Sequence, residues 1–154
     1  MEHIYKIQPV QIWNQSINLI NIDNVYYLPF RRLCEIAGLE ISSQTQRLQR
    51  DNTLLEGTVK IKLASKSGIQ DTLVLRLDLT INWLNTIKVN KVKNGISTII
   101  HLMKEDINKI FELLKNEKEL SYLRKEKARI EKRIKRDTLI LNGLNQLELN
   151  YLKP

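Results

Sequence analysis

Tyr27-Leu28-Pro29-Phe30-Arg31-Arg32-Leu33-Cys34-Glu35-Ile36-Ala37-Gly38-Leu39, continued by Ser43-Gln44-Thr45-Gln46-Arg47-Leu48-Gln49-Arg50-Asp51, carries the strongest helix start and stop signals of the chain. Pro29 suits the first turn of a helix, Leu33, Ile36 and Ala37 recur at helical spacing, and Gly38 can close the helix in a left-handed cap, which predicts a helix from about 29 to 37. After Leu39 to Ile41, Ser42 or Ser43 can accept from unpaired backbone N–H groups and start a second helix that runs to Arg50 or Asp51. Two helices across a turn of four or five residues follow the grammar of a helix-turn-helix. The same grammar also joins ordinary core helices.

Upstream, Ser16-Ile-Asn-Leu-Ile-Asn-Ile-Asp-Asn-Val-Tyr-Tyr-Leu28 sets β-branched and aromatic residues on both sides of Asp23-Asn24, a pair that tolerates the backbone of a tight turn. This predicts a β-hairpin. Downstream, Val59, Ile61 and Leu63 alternate with Lys60 and Lys62, and Leu73, Leu75 and Leu77 alternate with Thr72, Val74 and Arg76. Each strand has one apolar face, and the polar run Ala64 to Asp71 is expected as an exposed loop between them. This second hairpin, carrying Lys60, Lys62, Lys66 and Arg76, resembles a wing. Asp78 is placed to cap a short helix with Trp83, Leu84 and Ile87 on one face. After the polar stretch Lys88 to Gly95, a helical stripe resumes at Ile96 and runs through Ile99, Ile100, Met103, Ile107, Ile110, Phe111 and Leu114.

Beyond that stripe the pattern changes period. A seven-residue frame places Leu113, Leu120, Lys127, Ile134, Leu141 and Glu148 at one core position, and Asn116, Leu123, Ile130, Asp137, Leu144 and Tyr151 at the other. Eight of these twelve are apolar, enough to predict a coiled-coil helix, which would run roughly 60 Å at ~1.5 Å per residue. Asn142-Gly143 is a candidate interruption. The expected organisation is therefore an α+β domain over 1–114, small, winged and helix-turn-helix-like, followed by a basic helical tail over 115–154.

Charge supports that division. The chain carries 25 Lys+Arg against 17 Asp+Glu, a net +8. Residues 1–114 hold 14 basic and 11 acidic side chains, whereas 115–154 hold 11 and 6, and the segment 124–136 alone holds eight basic and two acidic. An excess of this kind draws a protein toward polyanions. The basic segment can be a DNA-gripping arm, a membrane-surface helix, or the wet side of a coiled coil with Leu123, Ile130 and Ile134 on its seam. Its apolar stripe is narrow and lacks aromatic residues, which ranks self-association first, nucleic acid second and membrane last.

At 154 residues the chain can bury one core with an appendage. One cysteine, Cys34, and two distant histidines, His3 and His101, exclude an intrachain disulfide and argue against a metal site. Cys34 reads as core. Asp51, Asp71 and Asp78 fall at a helix end, a turn and a cap, where aspartate is favoured without chemistry. No nucleophile–base pair, phosphate loop or carboxylate pair can be nominated, so neither an enzyme nor a cofactor is expected. No segment approaches the ~18 uninterrupted apolar residues of a membrane span, and the start Met1-Glu2-His3 lacks a signal pattern, so the expected setting is soluble and cytoplasmic.

The two quoted runs resemble the N-terminal domain of phage antirepressor proteins. The resemblance continues through the second hairpin into Leu75, Leu77, Leu79 and Trp83-Leu84 and covers about residues 15–114. The family is related in organisation to the Bro-N and KilA-N domains of large DNA viruses and phages. Ile41 stands where the family often has an aromatic residue, and Asn94-Gly95 replaces a stretch that often includes proline, which bears on how the Ile96 helix docks. The resemblance implies a phage- or plasmid-encoded regulator in a bacterial or archaeal host, acting through DNA or through a repressor.

With Leu48 setting the buried direction of the second helix, Thr45 and Gln44 flank it, Ser43, Gln46 and Arg50 point away, and Arg47 and Gln49 lie at the edges. Arginine can pair with guanine and glutamine with adenine in the major groove, so this face has the donors and acceptors of base readout; a merely solvated face has the same composition. Arg31, Arg32, Lys60, Lys62, Lys66 and Arg76 are the candidate phosphate contacts. Leu113, Leu120, Leu123, Ile130, Ile134, Leu141 and Leu144 are the candidate oligomerisation residues. Three readings follow: a DNA-docking regulator assembled through its C-terminal helix, an antirepressor whose same surface occludes a repressor protein, and a coiled-coil adaptor without DNA binding.

Overall fold

In a computed structural model describing residues 5–88 and 95–152, the chain divides into two compact units, Met1–Ile110 and Phe111–Pro154. The first is built on a five-stranded antiparallel sheet of order β1-β2-β3-β5-β4. Its strands are β1 (Lys6–Ile12), β2 (Gln15–Ile22), β3 (Val25–Pro29), β4 (Thr58–Ser65) and β5 (Gly68–Arg76). Helices α1 (Phe30–Ala37), α2 (Ile41–Arg50) and α3 (Asn52–Glu56) lie in sequence between β3 and β4, and α4 (Leu77–Thr86) follows β5. Helix α5 (Ile96–Tyr151) gives its residues up to Ile110 to this unit and the remainder to the second. The molecule is thus a mixed α/β structure with a long C-terminal helix.

The first expected hairpin forms at Asp23-Asn24, whose φ angles of 51° and 68° fit a two-residue turn matched to strand twist. Trp13-Asn14 makes the same left-handed turn, with φ of 51° and 56°, and adds β1 to the sheet. Composition does not announce that turn, because tryptophan rarely adopts positive φ. A tertiary contact helps hold it: the Trp13 backbone N–H donates to Asp106 Oδ2 of α5 at 2.8 Å.

The second hairpin is longer than its alternation implied. Strands β4 and β5 remain paired out to Ser65 and Gly68, leaving only Lys66-Ser67 as the turn instead of a loop from 64 to 71. Its two apolar stripes also face opposite sides, since Ile61 is directly opposed to Thr72 and Lys60 to Leu73. Ile61 and Val74 join Ile20 in a small cluster on one face, packed against Tyr27 and Leu63. On the other face Leu28 and Leu75, directly opposed, are fully buried along with Ile17 and Leu19.

Gly38 closes α1 in the left-handed conformation at φ 70°, with its own N–H on the Glu35 carbonyl at 3.2 Å and the Leu39 N–H on the Cys34 carbonyl at 2.9 Å. The turn to α2 is three residues, Gly38 to Glu40, shorter than expected, because α2 already begins at Ile41. Neither Ser42 nor Ser43 caps it; the Ser42 hydroxyl donates to Glu40 Oε1 at 2.7 Å. Asp51 instead caps α3, accepting from the Thr53 and Leu54 N–H groups at 3.1 and 3.2 Å. Asp78 does not cap α4, because the helix already begins at Leu77 and leaves Asp78 inside its first turn, where its carboxylate receives the Arg76 guanidinium at 2.5 and 2.9 Å. Most of the polar stretch from Lys88 to Gly95, Asn94 included, lies outside the described residues. The helix after it docks, with Ile100, Met103 and Ile107 at most 1% exposed.

Trp83 of α4 is fully buried and gathers the helices. The Phe30 ring of α1 meets it edge-on, centroids 5.0 Å apart at 70°, and its indole N–H donates to the side-chain oxygen of buried Gln44 on α2 at 3.1 Å. One aromatic side chain thereby fixes α1 and α2 on α4. In the second unit, α5 continues unbroken through Asn142 and Gly143, so the expected interruption is absent. Glycine there costs helix propensity without breaking the backbone ladder.

Replacing Gln44 with alanine strands a buried indole donor. The expected loss is about 1–3 kcal/mol of stability, read by urea unfolding of the variant against the natural chain.

Candidate nucleic-acid interface

Helix α2 buries Gln44 and Leu48, and this fixes what it presents outward. Ser42, Ser43, Gln46, Gln49 and Arg50 are all exposed. At 100° per residue they fall within one arc about 120° wide. No hydrogen bond or ion pair among the described residues engages the side chains of Ser43, Gln46, Gln49 or Arg50. Ser42, which the sequence suggested only as a cap, belongs to the same arc; its place could have been read from the Leu48 direction.

Arg47 behaves differently. It is half-buried, and its guanidinium donates to the Thr86 carbonyl at 2.5 Å and lies 3.4 Å from the Thr86 hydroxyl at the end of α4. A cation at a helix C-terminus meets the partial negative charge of the last carbonyls, so this contact ties α2 to α4. Arg31 and Arg32 are also engaged, sharing Glu35 at 3.6 and 3.3 Å, and Arg32 Nε donates to the Ser16 carbonyl at 3.2 Å. These pairs are exposed enough to open at small cost.

The four cations of the second hairpin do not form one group. Lys60 and Lys62 project from the same sheet face as Leu73, Lys66 sits in the turn, and Arg76 lies on the opposite face, bound to Asp78. Strand β5 pairs with β3 only from Val74 to Arg76. Its outer half, toward Gly68, pairs with β4 alone, so the part carrying Lys60, Lys62 and Lys66 extends past the sheet's third strand. All three lysines are exposed.

Among the described residues, no group of three or more His, Cys, Asp or Glu side chains could hold a metal, and no helix is long and apolar enough to cross a membrane. His101 pairs with Glu105 at 3.1 Å, while His3 lies outside the described residues. Cys34 is fully buried, and burial, helped by the nearby Glu35 charge, pushes its thiol from its ordinary value near 9 up to about 12.

The P22_AR N-terminal domain family matches residues 8–118, from within β1 through the first turns of α5 and beyond the last buried residue of the first unit. The chain belongs to this family. The match is wider at both ends than the 15–114 resemblance read from the motifs, and it takes in most of the β1 strand that the motifs did not reveal. The P22_AR N-terminal domain is a phage antirepressor domain, a regulatory family and not a known enzyme family, which places the chain among phage regulatory proteins. No curated protein and no solved structure matches the chain.

The buried thiol gives a direct check on the core. Cys34 should remain unmodified by a thiol reagent at mildly alkaline pH while the protein is folded and react fully in denaturant, followed by mass spectrometry. Because its folded pKa is raised, the stability associated with the neutral thiol is complete below about 9 and is lost as pH rises toward about 12.

Proposed function

We propose that this antirepressor-family protein is a DNA-docking transcriptional regulator that works in the host cytoplasm. In this reading residues 1–114 form a winged helix-turn-helix-like domain and residues 115–154 an assembly helix. Helix α2 acts as the recognition helix, the outer half of the β4–β5 hairpin acts as the wing, and α5 holds copies together. The observation that carries it is the polar arc of α2, in which the side chains of Ser43, Gln46, Gln49 and Arg50 have no partner among the described residues, reached from α1 through a three-residue turn containing Gly38.

Roles within the site follow from side-chain engagement. Gln46, Gln49, Arg50 and Ser43 are exposed and can reach base edges, with arginine suited to guanine and glutamine to adenine. Lys60, Lys62 and Lys66 supply phosphate contacts, which need only charge and reach. Arg31 and Arg32 join them when Glu35 releases its hold. Arg47 and Arg76, bound to Thr86 and Asp78, act mainly by fixing the helices and hairpin that carry the others. No cofactor is needed for such binding.

A second reading has its own support. The sheet face away from Leu28 and Leu75 leaves Ile7, Val25 and Val59 at 49%, 38% and 39% exposure around the Ile20–Ile61–Val74 cluster. Apolar surface of this kind suits a protein partner, and for an antirepressor that partner is a repressor.

DNA affinity measured against salt separates the two. Docking on DNA predicts a log–log slope of about −0.9 per neutralised phosphate, lowered in size by roughly 0.9 for each of Lys60, Lys62 and Lys66 replaced with alanine. Gln46→Ala and Arg50→Ala should instead cut discrimination between duplex sequences, by about 1–3 kcal/mol each at the preferred site. No binding at low salt, with capture of a repressor retained, would favour the second reading.

A further inference from the structure

From the core seam of the second unit, we infer that α5 pairs with α5 of a second copy in antiparallel orientation, about a two-fold axis level with Lys132. This rests on the self-association proposed above and deepens it by fixing direction and register.

The seam is exposed along its length: Leu113, Leu120, Leu123, Ile130, Ile134, Leu141 and Leu144 are 47–63% exposed. It is also interrupted by four polar core positions, Asn116, Lys127, Asp137 and Glu148. Their placement decides the orientation. In a parallel, in-register pair every core residue meets its own copy, so Lys127 faces the partner's Lys127, Asp137 the partner's Asp137 and Glu148 the partner's Glu148. Like charges then face one another in three core layers, an arrangement that costs several-fold or more in affinity per layer.

Turning one helix end for end about Lys132 changes all of these meetings at once. Lys127 now faces the partner's Asp137, and Asn116 faces the partner's Glu148. The apolar residues find apolar partners in the same register: Ile130 meets the partner's Ile134, Leu123 the partner's Leu141, Leu120 the partner's Leu144 and Leu113 the partner's Tyr151. Every layer joins one core position to the other core position, as antiparallel helices require. A slip by one heptad destroys the match, setting either Lys127 against Leu144 and Ile134 against Asp137, or Lys127 against Ile130 and Leu120 against Asp137. The register is therefore specified by the four polar residues. Leu139 and Leu149 lie off this seam.

The paired region runs from Leu113 to Tyr151, about 57 Å of helix at ~1.5 Å per residue. Because the axis passes within the 124–136 segment, the eight basic side chains of each copy gather around the same point of the rod. A concentration of this kind favours polyanions through charge alone, without requiring the tail to read sequence.

The test uses full-length Leu120→Cys and Leu144→Cys variants, with the natural Cys34 buried and out of exchange. Antiparallel pairing places each new cysteine about 36 Å from its own copy, far beyond disulfide reach, and next to the other variant's cysteine. Neither variant alone should cross-link on oxidation, and an equal mixture should give the 120–144 heterodimer. Cross-linking of each variant to itself overturns the register while leaving self-association intact. A monomer by light scattering at every concentration overturns both. Independently, Lys127→Asp should weaken dimerisation at least about tenfold, and adding Asp137→Lys should restore it, since the swap rebuilds the opposite-charge layer. Equal affinities for the natural chain, Lys127→Asp and the double variant would contradict the pairing.

Discussion

The hydrogen bond from the Trp83 indole to Gln44 is the constraint on which the first unit's helical layer depends. A buried indole N–H left without an acceptor costs free energy comparable to several ordinary packing contacts, so the amide must stay where it is. With Gln44 fixed inward and Leu48 one turn later also inward, the outward arc of α2 has no choice of residues. Phe30 against the same indole sets α1, and the left-handed Gly38 sets the path between the two helices. The candidate recognition face is thus a consequence of a contact within the core.

Much of this was legible in the sequence because its signals are local. Gly38 at the end of an apolar helical stripe, Asp23-Asn24 between β-branched runs, and the two alternating lysine-containing strands each declare their conformation within a few residues. What was not legible depends on tertiary contacts. The Trp13-Asn14 turn is supported by Asp106, ninety-three residues away, and α3 is a single short helix capped by Asp51. The Ala64 to Asp71 run looked like a loop from its polarity, yet strand pairing continues through it because antiparallel partners satisfy backbone groups whatever the side chains.

The same division applies to the candidate site. Exposure of Gln46, Gln49 and Arg50 follows from helical geometry once Leu48 is inward. Engagement of Arg47 by Thr86 and of Arg76 by Asp78 does not, because each partner's position is set by where α4 begins and ends. Arginines on a polar face are alike in sequence; the fold separates Arg47 and Arg76, held by Thr86 and Asp78, from Arg50, whose side chain has no partner among the described residues. The basic helix is the converse case: the densest charge of the chain coincides with a heptad-patterned seam, and the proposed antiparallel pairing gives that seam's polar members opposite or neutral partners.

Docking of DNA on α2 and the projecting hairpin of the first unit, as proposed, can be tested by hydrogen–deuterium exchange of the full chain with and without a duplex at low salt. Slowed exchange is expected to concentrate in residues 41–51 and 58–70. Protection confined to residues 124–136, with α2 and the hairpin unchanged, would contradict it.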